Sequence, residues 1–293
     1  MQIGYIGLGK MGFNMVERLI EKNYEVFVFD KNTDAVRDVS FKGALPADSL
    51  KSLVSDLTPP RTIWLMVPHQ AVDSVLQELS PLLQKRDTVI DGGNSPYRES
   101  MRRFQEFAAR EINILDVGVS GGPWGARNGA CIMVGGKKEI FRRYRGLFRD
   151  LSWKGGFTYT GSPGSGHFVK MVHNGIEYGI MQALAEGFAI MKASPFDLDL
   201  RMVAKLYNRR SVIESRMVGW LQQAYQEYGQ DLSDISGAVS HSGEAEWTIE
   251  AAKELGIPVP IIEGSLNFRI LSQVNPSYTG QVLSALRNQF GGH

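Results

Sequence analysis

The chain has one cysteine, Cys131, among 293 residues. A single thiol excludes an internal disulfide, and cysteine scarcity suits a reducing compartment. An excess of charge is missing too: 32 Lys and Arg oppose 31 Asp and Glu, a formal net charge of +1. That removes the whole-chain electrostatic footprint that nucleic acids and anionic membranes require. Long hydrophobic runs are absent, and none approaches the roughly 18 residues of a membrane span. The opening MQIGYIGLGK has no basic stretch followed by a long apolar one, so no secretory signal is expected. What remains is 43% hydrophobic and 22% charged, which excludes a disordered chain, a collagen and a coiled-coil rod. The length suits one large domain or two ordinary ones. A soluble, cytoplasmic, two-domain protein is the expectation.

The first half alternates short apolar runs with stretches of helical periodicity. Residues 3–6, 25–29, 62–67, 88–91 and 114–119 read as buried strands, and 12–22, 34–39, 71–83 and 99–109 as helices between them. Such alternation predicts right-handed crossovers and a parallel sheet with helices on both faces. A further short strand pair is expected at 130–134 and 157–159. The glycine-rich GSPGSG at 161–166 punctuates the chain, and the strand pattern stops after it. Residues 167–193 read as one long helix without proline. Residues 199–228, 244–255, 261–272 and 278–289 read as further helices. The domain boundary is expected near residue 163, dividing the chain into 1–163 and 164–293.

Six basic residues crowd one segment: Lys137, Lys138, Arg142, Arg143, Arg145 and Arg149. One reading is a nucleic-acid patch. The other is an exposed helix face backed by Phe141, Tyr144 and Phe148 at i, i+3 and i+7. The near-zero net charge favours the second.

Three segments carry candidate chemistry. In the first, a strand runs into Gly7-Leu8-Gly9-Lys10-Met11-Gly12, which opens a helix. Alone the GxGxxG pattern is weak, but between a strand and a helix it is the context that dinucleotide binding requires. Gly7 permits the tight turn, Gly9 lets the backbone approach a pyrophosphate, and Gly12 allows close helix packing. The helix start holds the phosphate charge. The second strand ends in Asp30, eighteen residues beyond Gly12. A carboxylate there accepts from the ribose hydroxyls and repels a 2′-phosphate. Lys31 beside it offsets part of that repulsion. NAD is therefore the expected cofactor, with NADP tolerated.

The second segment is KMVHNGIEYGIM, where Lys170, His173, Asn174 and Glu177 fall at i, i+3, i+4 and i+7 and share a helix face. Val169, Val172, Ile176 and Ile180 form an apolar stripe beside it. The polar stripe is either the wet side of an amphipathic helix or a site. A helix this apolar is expected to be buried, so its polar groups would need partners or a ligand. The third is a pair of glycine-rich turns at predicted strand ends, DGGNS (91–95) and GVSGGPWGARNG (118–129). Carboxyl ends of parallel strands line the ligand crevice in open α/β sheets.

Taken together, GLGKMG, DGGNS, GVSGG-x-x-GA and GHFVKMVHNGIEYG resemble the 6-phosphogluconate dehydrogenases, decarboxylating enzymes of the pentose phosphate route and of gluconate metabolism. The resemblance runs to the C-terminus, and the chain is similar to the short form of the family. It implies a Rossmann-type α/β doubly wound parallel sheet, then an all-α C-terminal domain with a long interdomain helix. It implies Lys170 as general base and Glu177 as general acid. Asn94, Ser120, Gly121, Gly122, His173 and Asn174 would hold the sugar acid, with Asn94 also touching the nicotinamide. Tyr178 and Arg269 would bind its phosphate. Gly7 to Gly12, Asp30, Lys31 and Val67 complete the cofactor set, and no metal is expected. The ending resembles the family's tail motif, so Arg287 and His293 would enter a neighbouring subunit's site in a homodimer or dimer of dimers. One departure is plain: where the long form has Lys and Thr for the phosphate, HSGEAEWT has Ser242 and Glu244. Glu244 should therefore point away, or the phosphate contacts are redistributed.

The implied chemistry fits the residue types. An ordinary lysine, with a pKa of about 10.4, is charged and useless as a base, but burial on an apolar helix lowers it. The nearest rival is another β-hydroxyacid dehydrogenase acting on an unphosphorylated acid. A dinucleotide-sensing module without turnover is a rival of another class, and the Lys170–Glu177 face argues against it.

Overall fold

The computed structural model describes residues 1–241 and 243–291. They divide into two compact units, Met1–Met171 and Val172–His293, against the boundary near 163 expected from the glycine-rich segment.

In the first unit eight strands form one sheet in the order β3-β2-β1-β4-β5-β6-β7-β8. They are β1 (Gln2–Ile6), β2 (Glu25–Phe29), β3 (Leu45–Pro46), β4 (Thr62–Leu65), β5 (Thr88–Asp91), β6 (Asn113–Ser120), β7 (Ala130–Gly136) and β8 (Ser152–Gly161). The helices between them are α1 (Lys10–Glu21), α2 (Thr33–Ser40), α3 (Leu50–Asp56), α4 (His69–Leu79), α5 (Tyr97–Ala108), α6 (Gly122–Asn128), α7 (Lys138–Arg143) and α8 (Arg145–Leu151). Strands β1 to β6 pair in parallel. The sheet is not parallel throughout, as expected from the alternation, because β7 runs antiparallel to β6. The short helix α6 turns the chain straight back, and no crossover separates the two strands. Both faces of the sheet are covered, which is why its strands read as unbroken apolar runs. Ile3, Tyr5, Trp64 and Val117 pack on one face with Met15 and Phe148. Ile6, Ile63, Leu65 and Val89 pack on the other with Leu53, Leu76 and Phe107.

Three elements lie outside the sequence expectation: β3, α3 and α6, the last falling where only a glycine-rich turn is expected. Strand β3 has only two residues, both exposed. Helix α3 begins at Ser49, whose hydroxyl caps Ser52 N–H while the Ser52 side chain reaches back, a capping box with serine in place of the usual acid. The basic segment folds as two short helices that meet at Tyr144, with Tyr144 and Phe148 buried and the arginines outside.

Helix α9 (Ser165–Ala193) follows. In the second unit Met181, Ala185 and Phe188, at i, i+4 and i+7, join a core with Leu200, Leu221, Tyr225, Val282, Leu283 and Leu286. The expected helix at 199–228 is two: α10 (Leu200–Tyr207) and α11 (Arg216–Tyr228). Arg210 takes a left-handed φ of 61°, and Ser215 starts the next helix by capping Val218 N–H. The remaining helices are α12 (Glu244–Glu254), α13 (Pro260–Ser272) and α14 (Tyr278–Phe290). The helix expected to be buried leaves part of its apolar stripe exposed: Ile176 is 54% and Ile180 46% accessible. Among the described residues, no helix is long and apolar enough to cross a membrane.

Candidate active site

Gly7 has a φ of 99°, and a Cβ there would collide with the Met66 carbonyl. Gly12 lies against the Gly7 carbonyl. Gly9 differs: no heavy atom stands within 4 Å of the place a Cβ would take. It is the N-cap of α1, with no side chain capping the helix. An open cradle over an uncapped helix start fits a pyrophosphate, by charge and by space. Asp30 Oδ2 accepts the Leu8 N–H at 2.5 Å and Oδ1 the Asn32 N–H at 2.7 Å. The acidic group is thus tied to the phosphate loop and keeps lone pairs for ribose hydroxyls. Lys31 is exposed and Val67 half-buried.

At the end of β5, Asp91 organises the DGGNS turn. It accepts the Gly93 N–H at 3.2 Å, the Ser95 hydroxyl at 3.3 Å and Arg103 at 3.3 Å. Arg103, buried on α5, also donates to Ser95 Oγ at 3.1 Å and to Asp73 at 2.8 Å. Within this tightened turn Asn94 is the exposed residue, which is how a residue offered to ligands should stand. At the end of β6, Ser120 leads into Gly121 and Gly122, whose φ values are 129° and 63°. Neither Arg103 nor Asp73 was assigned a role from sequence, since nothing in their spacing marks a partner in a distant turn.

Lys170 is buried, 9% accessible. Gly118 on β6 makes this possible, because a Cβ there would overlap the Lys170 side chain. Further along the same helix, in the second unit, His173 Nδ1 stands 3.1 Å from Asn174 Oδ1 and 3.8 Å from Glu177 Oε2. Asn174 is buried and the Glu177 side chain half-buried. Of the two readings of the polar stripe, a merely wet face does not fit a buried lysine and a buried asparagine.

The second unit also holds two buried cations. Arg269, on α13, is 2% accessible. Its guanidinium carbon lies 3.4 Å from the Tyr178 ring centroid, and Nη2 is 3.8 Å from Met181 Sδ. Among the described residues no carboxylate forms an ion pair with it. Burial pulls its pKa down to about 10, the cation Arg287 adding to the effect and Tyr178, Glu177 and Glu244 opposing it. Arg287, on α14, donates to the Ser240 carbonyl at 2.5 Å and to Ser240 Oγ at 3.1 Å. Glu244 is buried, and its charge opposes the lowering of the Arg269 pKa. Ser242 and His293 lie outside the described residues.

A doubly wound sheet with an open, uncapped helix start after its first strand, followed by an all-helical unit, defines a dehydrogenase of the β-hydroxyacid type that uses a nicotinamide dinucleotide. Residues 2–161 match the NAD-binding domain of 6-phosphogluconate dehydrogenase, and residues 166–289 match the C-terminal domain of 6-phosphogluconate dehydrogenase. The chain belongs to the 6-phosphogluconate dehydrogenase family. It is 41% identical over 295 residues to the NAD(+)-dependent, decarboxylating 6-phosphogluconate dehydrogenase of Haloferax volcanii, covering 100% of this chain and 98% of that one. A Staphylococcus aureus decarboxylating enzyme of the same name is 35% identical over 289 residues, covering 93% of this chain but 62% of its own. The Plasmodium falciparum 6-phosphogluconate dehydrogenase structure superposes with a TM-score of 0.86 at 29% identity, over 94% of this chain and 62% of that one. The chain is thus of the short kind, spanning under two thirds of the longer relatives.

Proposed function

We propose that this chain converts 6-phospho-D-gluconate to D-ribulose 5-phosphate and carbon dioxide while reducing NAD. The observation that carries the substrate class is Arg269: a buried guanidinium, with Arg287 near enough to repel it, calls for an anion brought by a ligand. Gly7 to Gly12 and Asp30 would hold the dinucleotide, whose nicotinamide would supply a hydride acceptor for the carbon β to the carboxylate. Lys170 accepts the proton of that carbon's hydroxyl. The resulting ammonium returns it to the new carbonyl oxygen as the carboxylate leaves as carbon dioxide, its bonding electrons forming the enediol. Glu177 then protonates the carbon that lost the carboxylate, and Lys170 takes back the hydroxyl proton to leave a ketone. Ser120, Gly121, Gly122, His173, Asn174 and Asn94 hold the acid and its hydroxyls, and Tyr178 flanks the phosphate against Arg269.

The deciding experiment measures carbon dioxide and reduced cofactor together, with 6-phosphogluconate and either NAD or NADP. One carbon dioxide per reduced cofactor is expected, with a higher kcat/KM for NAD because Asp30 faces the ribose. Cofactor reduction from an unphosphorylated β-hydroxyacid alone would remove the phosphate reading. A higher kcat/KM for NADP would remove the preference.

The exposed face of Ile176 and Ile180 supports a homodimer or dimer of dimers. The sequence expectation that the tail completes a partner's site is tested by mixing Arg287→Ala and Lys170→Met subunits. On that expectation hybrid dimers recover activity at the site with an intact lysine and an intact incoming tail, although in the single chain Arg287 is buried on Ser240 and its charge reaches Arg269. No recovery, with heterodimers shown to form, leaves Arg287 acting in its own chain beside Arg269. We place the enzyme in the cytoplasm, where its single Cys131 stays a thiol.

A further inference from the structure

The first turn of α9 is seated on the sheet by side chains that the reaction scheme does not use. Asp116, buried in mid-β6, accepts the Gly164 N–H through Oδ1 at 2.8 Å and the His167 N–H through Oδ2 at 3.0 Å. A distant strand thereby supplies the cap that the helix start needs, with a charge that suits its dipole. The His167 ring, 1% accessible, places Nδ1 2.7 Å from Ser100 Oγ on α5. Phe168 packs edge-on against Tyr97, ring centroids 5.1 Å apart.

The opposite side of the seat is made of missing side chains. Gly118 lies two residues beyond Asp116, on the same face of β6. A Cβ on it would overlap Lys170 Cβ and stand 2.9 Å from the Gly166 carbonyl. One on Gly166 would meet the Asp116 and Met133 carbonyls, and one on Gly135 the Asp116 carboxylate. Helix backbone and strand backbone therefore touch. Lys170 follows His167 by one turn, so the cap sets its rise and the glycines set its distance from the strand.

We propose that Asp116 and Gly118 are positioning residues for Lys170, holding the first turn of α9 at the height and separation that the proton transfer requires. The inference rests on Lys170 as the base. A misplacement of about 1 Å in a reacting group can cost on the order of 100-fold in rate. Gly118→Ala pushes directly on Lys170, and the isosteric Asp116→Asn turns one acceptor into a donor facing an N–H.

The test uses the full-length enzyme with 6-phosphogluconate carrying deuterium at the hydride-donating carbon. NADH affinity and thermal midpoint are measured alongside. Gly118→Ala should lower kcat about 100-fold and Asp116→Asn about tenfold. The deuterium isotope effect on kcat should rise in both, with NADH affinity within about twofold of the parent. A purely structural role predicts a lower midpoint with kcat and isotope effect unchanged, and that result overturns the proposal. Should Gly118→Ala fail to fold, the same two outcomes are read from Asp116→Asn. Lys170→Met separates the two layers of inference. If it stays active, the assignment of the base fails. If it is dead while Asp116→Asn and Gly118→Ala turn over normally, only the positioning role fails.

Discussion

Lys170→Met is expected to abolish oxidation of the substrate. Methionine keeps the length and the burial of the side chain and removes the only atom able to take the hydroxyl proton. The seat that Gly118 provides remains filled, so the fold and the cofactor loop at residues 7–12 are undisturbed. General bases contribute roughly 100- to 10,000-fold, and turnover above about a tenth of the parent's would exclude Lys170 from that role. Glu177→Gln should behave differently. Its proton is needed only after carbon dioxide has gone, so the variant should still reduce cofactor in a first turnover and stall at the return of the proton. A rapid-mixing measurement of cofactor reduction separates the two, since only the glutamine variant should show a burst.

Arg269→Met should raise KM for the phosphorylated substrate by about 100-fold or more. Truncating one member of a buried, hydrogen-bonded charge pair costs about 2–5 kcal/mol, and the phosphate would lose its buried cation. NADH affinity should not move, because the dinucleotide loop belongs to the other compact unit. A KM within threefold of the parent would detach the phosphate from Arg269. The pH dependence carries a second sign. Burial lowers the guanidinium to about 10, so the cation is present at neutral pH and is lost as pH rises through that value. Substrate affinity should therefore be flat near neutrality and weaken above pH 10.

The strands that sequence periodicity marks most closely include β1, β5 and β6, which are buried on both faces, whereas the half-exposed β8 shows in the sequence only at 157–159 of its ten residues. Residues 25–29 and 88–91 appear with the expected bounds, β1 differs by one residue at its start, and β6 by one at each end. Burial on both faces leaves little room for anything but apolar residues, which makes such strands legible. The miss at β3 has the opposite cause: Leu45 and Pro46 are exposed, so no burial pattern exists to read. Helices α10 and α11 were joined because their apolar spacing continues, while the break rests on a left-handed arginine and a serine cap. At the site, residues within recognisable turns were legible and their supports were not. Asp116 was the one overlooked signal, a charge inside an apolar strand. Its meaning depends on N–H groups about fifty residues away.

Asp30 bears on any effort to change the cofactor. Beyond the ribose contact proposed for it, its carboxylate ties the end of β2 to the Leu8 amide and to the turn at Asn32. Exchanging it for a small neutral residue, to admit a 2′-phosphate, would also untie the loop that cradles the pyrophosphate. Under the role proposed for Asp30, coenzyme choice and loop rigidity are coupled through one carboxylate. A redesign that relaxes the first must supply a new acceptor for the Leu8 N–H, or the gain at the ribose is lost at the diphosphate.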